Sequence, residues 1–298
     1  LQLGLSDWLQ LFLSGFSTGC IYALIGLGII ITYSVARVIN MAQGEFVMLG
    51  AMLTVTFVRA LGVGTGLAAA MAVLAVALIG LAVYRLTILP LRRATEVTVL
   101  LATIGTGIAI RGLAHVAWGT TPRPLPPFVA AAPIRLAGAA LSWQRIWVVA
   151  CTAAALALLY SFFQGTLLGK AILACSVNRN AAELLGIPAR SMGALAYLMS
   201  AALGATAGVV IAPLTLASYD MGLALGLKGF VVAVMGGFTS MPAAVVSGIL
   251  LGTLESYAAG LVSGGLKDAL AFLVLLVVLL ARTVRLPSLL VRPRRSEA

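Results

Sequence analysis

Charge is scarce in this chain. Of 298 residues only 9% are Asp, Glu, Lys or Arg, and eight are acidic. Soluble domains carry about 25%, so the composition excludes an ordinary water-facing surface. Histidine occurs once, as His115, which excludes His-cluster metal chemistry and leaves a Ser–His hydrolase with one candidate base. A serine elbow at Ser247-Gly248 has nothing else beside it. Cysteine is limited to Cys20, Cys151 and Cys175, with no CxxC spacing. In or beside apolar runs these read as small buried hydrophobes, not as a disulfide framework or metal site. No paired carboxylates appear. Gly165-Thr166-Leu167-Leu168-Gly169-Lys170-Ala171 superficially suggests a phosphate loop. It is one residue short of GxxxxGK[ST], ends in alanine where Mg²⁺ needs a hydroxyl, and follows no strand. The expectation is a chain with no catalytic residues, no metal, no cofactor and no ATPase of its own.

Apolar sequence is what is present. The chain is 62% hydrophobic, with mean hydropathy +1.13. Its apolar runs recur at about 20 residues, enough to cross ~30 Å of hydrocarbon. They lack the period-2 alternation of barrel strands, so they satisfy their backbone groups as helices. The predicted fold class is all-α: a polytopic helical integral membrane protein of eight or nine spanning or half-spanning helices, forming one domain over 1–298. Thirty-two glycines agree, since small residues let membrane helices approach closely. The predicted helices are 9–33, 45–61, 66–84, 97–118, 145–163, 191–214, 227–238, 242–261 and 268–284. The first run is too long for a signal-peptide core and lacks a basic flank.

The segment 227–238 is too short to span comfortably before Gly236-Gly237 and Pro242. Broken helices of this kind are tolerated where they line a cavity or lie inside protein. The net charge of +11 sits at helix ends and in particular loops, not along a groove, so it is topogenic and points to a lipid bilayer, not to nucleic acid. Arg85, Arg92 and Arg93, then Lys170, Arg179 and Arg190, then the C-terminal arginines mark cytoplasmic segments. A Pro-rich loop at 119–144 and the N-terminus then lie outside, provided that 227–238 counts as a crossing. Arg123, Arg135 and Arg145 run against this scheme.

Between Gln164 and Arg190 the chain turns polar and writes out a short helix, Asn178 to Pro188. Asn180 is placed to cap it and Glu183 to complete an Asn-led capping box. Gly186 suits a left-handed helix end, and Pro188 forbids continuation. A connector between spans needs no such helix unless something outside the membrane grips it. The predicted docking residues are Asn178, Asn180, Ala181, Ala182, Glu183, Leu184, Leu185, Gly186 and Ile187. Two acids need an explanation within spans. Glu45 opens the second helix, where the macrodipole favours an acid near the interface. Glu255 lies deep in 242–261 and needs a partner, for which Arg111 is a candidate. Candidate residues along a translocation path are Asn40, Gln43, Gly44, Glu45, Gly236, Gly237 and Glu255.

Three blocks carry a resemblance. Gly15-Phe16-Ser17-Thr18-Gly19-Cys20-Ile21-Tyr22-Ala23-Leu24, then Val38-Ile39-Asn40-Met41-Ala42-Gln43-Gly44-Glu45-Phe46, then the 178–188 helix are similar to the permease subunits of bacterial branched-chain amino-acid ABC importers, the Liv H-type in particular. The resemblance implies two ATP-binding cassette subunits as the motor, a second permease subunit completing the pore, and a periplasmic solute-binding protein. The docking helix would sit in a groove of the ATPase and act as a lever during alternate access. It also implies an inner-membrane location. The family commonly has histidine where Gln43 stands and a basic residue near Leu173, and its relatives also serve amides, urea and other amino acids. A competing class is an ion-coupled secondary transporter of small polar solutes, which places carboxylates at a midplane site. A third is a purely structural subunit of a membrane complex.

Overall fold

Helix α1 (Leu5–Ala36) has 32 residues and is about 48 Å long at ~1.5 Å per residue. Its middle, from Cys20 to Thr32, is buried on every side, so an apolar run that periodicity alone could not orient becomes the central pillar. The computed structural model describes residues 4–91, 94–129, 131–136, 138–238, 240–261 and 266–285.

Helix α10 (Met241–Leu261) packs antiparallel against α1. The contact is made by glycines four apart, Gly15 and Gly19 on α1 facing Gly252 and Gly248 on α10. A Cβ on Gly15 would lie 2.6 Å from the Thr253 Cα, and one on Gly19 would lie 2.6 Å from the Gly248 carbonyl oxygen. The backbones touch, which in lipid supplies the van der Waals contact that the hydrophobic effect does not. The Ser256 hydroxyl adds a 2.7 Å hydrogen bond to the Leu11 carbonyl.

A second layer consists of α2 (Gln43–Leu61), α3 (Thr65–Val83) and α8 (Ala189–Ile211). Helix α3 runs on through a π-helical turn, Tyr84–Ile88. Helix α8 lies between the two buried clusters and contributes to both: one gathers around α1, the other around α2 and α3. Helix α4 (Glu96–Trp118), capped by Thr95, and α5 (Trp143–Gly165) stand outside these layers. They leave Leu101, Ile108, Val116 and Leu158 exposed. Such apolar exterior is stable only against lipid or another apolar partner. Among the described residues, seven helices are long and apolar enough to cross a membrane: α1, α2, α3 with its π-turn, α4, α5, α8 and α10.

The remaining elements refine the sequence reading. The segment after α5 holds two helices, α6 (Leu167–Val177) and α7 (Arg179–Leu184). Only the second was predicted. The Thr166 hydroxyl starts α6 by accepting a hydrogen bond from the Gly169 N–H at 3.0 Å. The predicted 227–238 helix is α9 (Met221–Met235); it begins earlier and, at 15 residues, is about 22 Å long. The last helix, α11 (Leu266–Arg285), has an apolar centre at Ala269–Leu280. The Pro-rich segment contains a small antiparallel hairpin, β1 (Ile134–Leu136) with β2 (Ala139–Leu141). It is tied to the turn before α9 by paired backbone bonds between Arg123 and Ala217. Arg92, Arg93, Arg292, Arg294 and Arg295, on which part of the orientation rests, lie outside the described residues.

Candidate functional site

The polar segment between α5 and α8 builds a rigid projection. Asn178 is extended (φ −149°, ψ 105°), and its side-chain oxygen accepts from the Ala181 N–H at 3.0 Å. The first intrahelical bond, Ala182 N–H to the Asn178 carbonyl, also starts there. Asn178 is therefore the cap, and the assignment to Asn180 is corrected: Asn180 already lies inside the first turn and is exposed. Glu183 consequently does not reach back as a capping box. Its carboxylate accepts from the Arg179 Nε at 3.3 Å, an exposed i,i+4 pair.

The helix end follows the sequence reading. Gly186 has φ +83°, its N–H bonds to the Glu183 carbonyl, and the Ile187 N–H bonds to the Ala182 carbonyl. This pair of bonds is a Schellman motif. Ala182 is buried and Ile187 packs with the same cluster, which fastens α7 to the bundle by one face. The other face carries Leu184 and Leu185, 90% and 82% exposed. The Arg37 guanidinium, at the end of α1, donates to the Ser176 carbonyl of α6. The projection is thus coupled to the central helix. Burial pushes the Cys175 thiol upward, with Arg179 opposing and Glu183 adding to the shift.

The interior contains a second polar region. Helix α2 does not start at the end of the bundle. Segment 37–42 turns back inward, and the Met41 N–H donates to the Thr103 hydroxyl of α4 at 3.2 Å. The first turn of α2 lies between Gly28 of α1 and Ser200 of α8. The Gln43 amide donates to the Ser200 carbonyl at 3.0 Å, while its Oε1 lies 2.5 Å from the Ser200 hydroxyl. That hydroxyl is also 2.8 Å from the Gly28 carbonyl.

Glu45, 2% exposed, is bonded to the Arg111 guanidinium. It is therefore buried in the bundle, and its expected place near the interface is corrected: the inward turn of 37–42 carries the helix start inside. Asn40, Gln43, Glu45 and Arg111 line one pocket of about 290 Å³ between α2, α4 and α9. Gly222 and Gly226 of α9 also line it and press on the α2 backbone at Gly44, which lies behind them and not on the pocket wall.

The other predicted path residues lie elsewhere. Glu255 is fully buried, and its partner is Lys228 of α9, with Nζ 3.1 Å from Oε1. The pairing with Arg111 is corrected, because Arg111 is committed to Glu45. The Tyr22 hydroxyl of α1 donates to Glu255 Oε2 at 2.7 Å, and Lys228 also lies over the Tyr22 ring. Lys228 was missed in the sequence, although a lone cation inside the apolar run of α9 is itself a signal. Gly236 and Gly237 form the break between α9 and α10. Gly237 (φ +79°) and Phe238 (φ +60°) close α9 through bonds from the Gly237 N–H to Val234 and the Phe238 N–H to Ala233. The Phe238 ring sits 4.7 Å from that of Tyr33. The break is thus covered by protein on its α1 side.

The comparisons with known proteins agree on one family. Residues 11–279 match the family described as "Branched-chain amino acid transport system / permease component". The chain is 28% identical to the high-affinity branched-chain amino acid transport system permease protein BraD of Pseudomonas aeruginosa, over 92% of this chain and 94% of that one. It is 30% identical to the corresponding protein LivH of Escherichia coli K12, over 92% and 93%. A probable branched-chain amino acid transport permease protein LivH of Methanocaldococcus jannaschii is 24% identical, over 78% of this chain and 75% of its own length.

Proposed function

The chain belongs to the family of branched-chain amino acid transport permease components, and from that membership we propose that it forms half of the translocation pathway of an ATP-driven importer for branched-chain or related amino acids. It is an integral protein of the inner, or plasma, membrane. Its partners in this reading are a second permease subunit, two ATP-binding cassette subunits and a periplasmic solute-binding protein. It performs no covalent chemistry itself.

The observation that carries the reading is α7. A six-residue helix outside the spanning layers is capped at both ends, fastened through Ala182 and presents two leucines outward. Isolated helices of this length do not persist in water, so the caps and the buried face keep its shape. A partner surface that covers Leu184 and Leu185 removes about 1.5–3 kcal/mol of unfavourable exposure per side chain. Closure of the ATPase dimer would then push α7 as a lever on α8, and through the Arg37–Ser176 link on α1.

An ion-coupled transporter fits less well, because the two carboxylates buried among the described residues are already paired with cations, Glu45 with Arg111 and Glu255 with Lys228. The test is reconstitution of the co-expressed complex in proteoliposomes. Leucine uptake is expected to require ATP and all subunits. Uptake by this chain alone, driven by a proton or sodium gradient, would refute the importer.

A further inference from the structure

The pocket between α2, α4 and α9 holds three polar atoms that the fold leaves unused. Glu45 Oε2, Asn40 Nδ2 and Arg111 Nε are each buried without a hydrogen-bonding partner among the described residues. Asn40 and Glu45 are 0% and 2% exposed, and all three residues line the pocket. Buried polar groups are paired in the great majority of cases, and a cluster of exceptions asks for a partner from outside the chain. The set is one anionic acceptor and two donors, one of them cationic. Asn40 is held in that orientation because its Oδ1 already accepts from the Ala42 N–H at 3.2 Å, which aims the amide nitrogen elsewhere. Apart from Gln43, whose amide is bonded to Ser200, the remaining wall is apolar, with Ile104, Leu227 and Phe230 among its residues.

We propose that this pocket is a transient binding site for the solute within the permease, with Glu45 taking the α-ammonium group and Arg111 and Asn40 the α-carboxylate of an aliphatic amino acid. The inference rests on the importer reading and adds to it the residues that recognise the zwitterion. The volume of about 290 Å³ lies at the small end of ligand pockets, matching a solute of a few heavy atoms. The Glu45–Arg111 pair supplies opposite charges side by side, so a zwitterion can enter without leaving a buried charge uncompensated. Glu45 keeps Arg111 on Oε1 and offers Oε2 to the incoming ammonium. The apolar wall receives the side chain, which favours leucine, isoleucine or valine over a polar amino acid.

The experiment uses the complete reconstituted importer with its solute-binding protein and radiolabelled leucine. Two variants are compared with wild type. Glu45→Met/Arg111→Met removes both charges together, so no lone charge is left buried. Asn40→Asp keeps the oxygen that accepts from Ala42 but replaces the donor with an acceptor. Both are expected to assemble with normal subunit stoichiometry and to lose about tenfold or more of leucine uptake per ATP hydrolysed, the worth of charge-assisted bonds. Uptake by the assembled double variant within about twofold of wild type would make the pair purely structural and overturn the proposal.

A second measurement needs no variant. Photo-leucine, a diazirine analogue, is trapped in the wild-type complex by a non-hydrolysable nucleotide and cross-linked. Adducts on the peptides carrying Ile104, Leu227 or Phe230 are expected, and adducts confined to other segments would overturn the pocket even if the double variant fails to assemble. A wild-type complex with no ATP-driven uptake would refute the importer reading itself, whereas uptake with labelling elsewhere refutes the pocket alone.

Discussion

Lys228, Glu255 and Tyr22 join three helices through one buried ion pair and its hydrogen bonds. Breaking such a pair from one side costs more than removing it, because the remaining charge stays desolvated. Lys228→Met alone is expected to destabilise the protein by about 3–5 kcal/mol, and the added change Glu255→Leu to recover most of that loss. Thermal midpoints of the purified complex in detergent check both, and a double variant as unstable as the single one would refute the coupling. Cys175 makes a gentler test. Its thiol is buried and holds its proton above the ordinary 9.0. At a given pH it therefore carries less reactive thiolate. Because the folded state binds this proton more tightly than the unfolded chain, its contribution is lost as pH rises past that ordinary value. Maleimide labelling at pH 7 is expected to be slow at Cys175 and fast at an Asn180→Cys control, since Asn180 is exposed. Equal rates would contradict the burial.

Short helices are decided at their ends, and α7 shows it twice. Asn178→Ala removes the observed cap and is expected to cost about 0.5–2 kcal/mol locally. Asn180→Ala should cost far less, since that side chain caps nothing. Glu183→Ala loses only an exposed i,i+4 pair worth about 0.3–0.5 kcal/mol. Gly186→Val is the severe change, because a β-carbon at φ +83° costs roughly 1–2 kcal/mol in a left-handed turn, and more for a β-branched side chain. The Gly186→Val chain is expected to insert normally yet lose ATPase subunits on purification or hydrolyse ATP without uptake. Full coupled transport at normal stoichiometry would mean that α7 is an incidental connector.

The α1–α10 contact is also an element-scale property. Gly19→Val would drive side-chain atoms into the Gly248–Ile249 backbone, which cannot yield as a flexible side chain can. Loss of folded protein by size-exclusion profile is expected for Gly19→Val but not for Gly112→Val, whose added β-carbon meets open space.

Across the whole molecule, helix parity sets what faces each side. The hairpin segment precedes α5 and the α6–α7 projection follows it, so the two lie at opposite ends of one spanning helix. Cysteine at the exposed Pro126 is expected to react with a membrane-impermeant reagent added outside, and cysteine at Asn180 only after permeabilisation. The reverse pattern would invert the orientation. Helix α9 belongs to this scale too. It is too short to cross by itself, yet it packs against α1, α2, α10 and α11, which bury its middle from Lys228 to Val234.

The spans, the helix class and the left-handed helix end at Gly186 were legible in the sequence, because length, apolarity and glycine or proline stereochemistry act over a few neighbouring residues. The family blocks were legible for the same local reason. The cap expected at Asn180 moved to Asn178, because a cap must be extended while the residues after it are helical, and the backbone meets that condition at Asn178. Pairings between distant residues were not legible. Glu255 meets Lys228 and not Arg111, and Glu45 meets Arg111 across 66 residues, because depth in the bundle depends on where each helix starts. That depth is set by the glycine contacts and by the inward turn of 37–42, neither of which leaves a periodic signature. The pocket at Asn40, Glu45 and Arg111 exists only once three helices have packed at those depths, so the tertiary structure alone decided it.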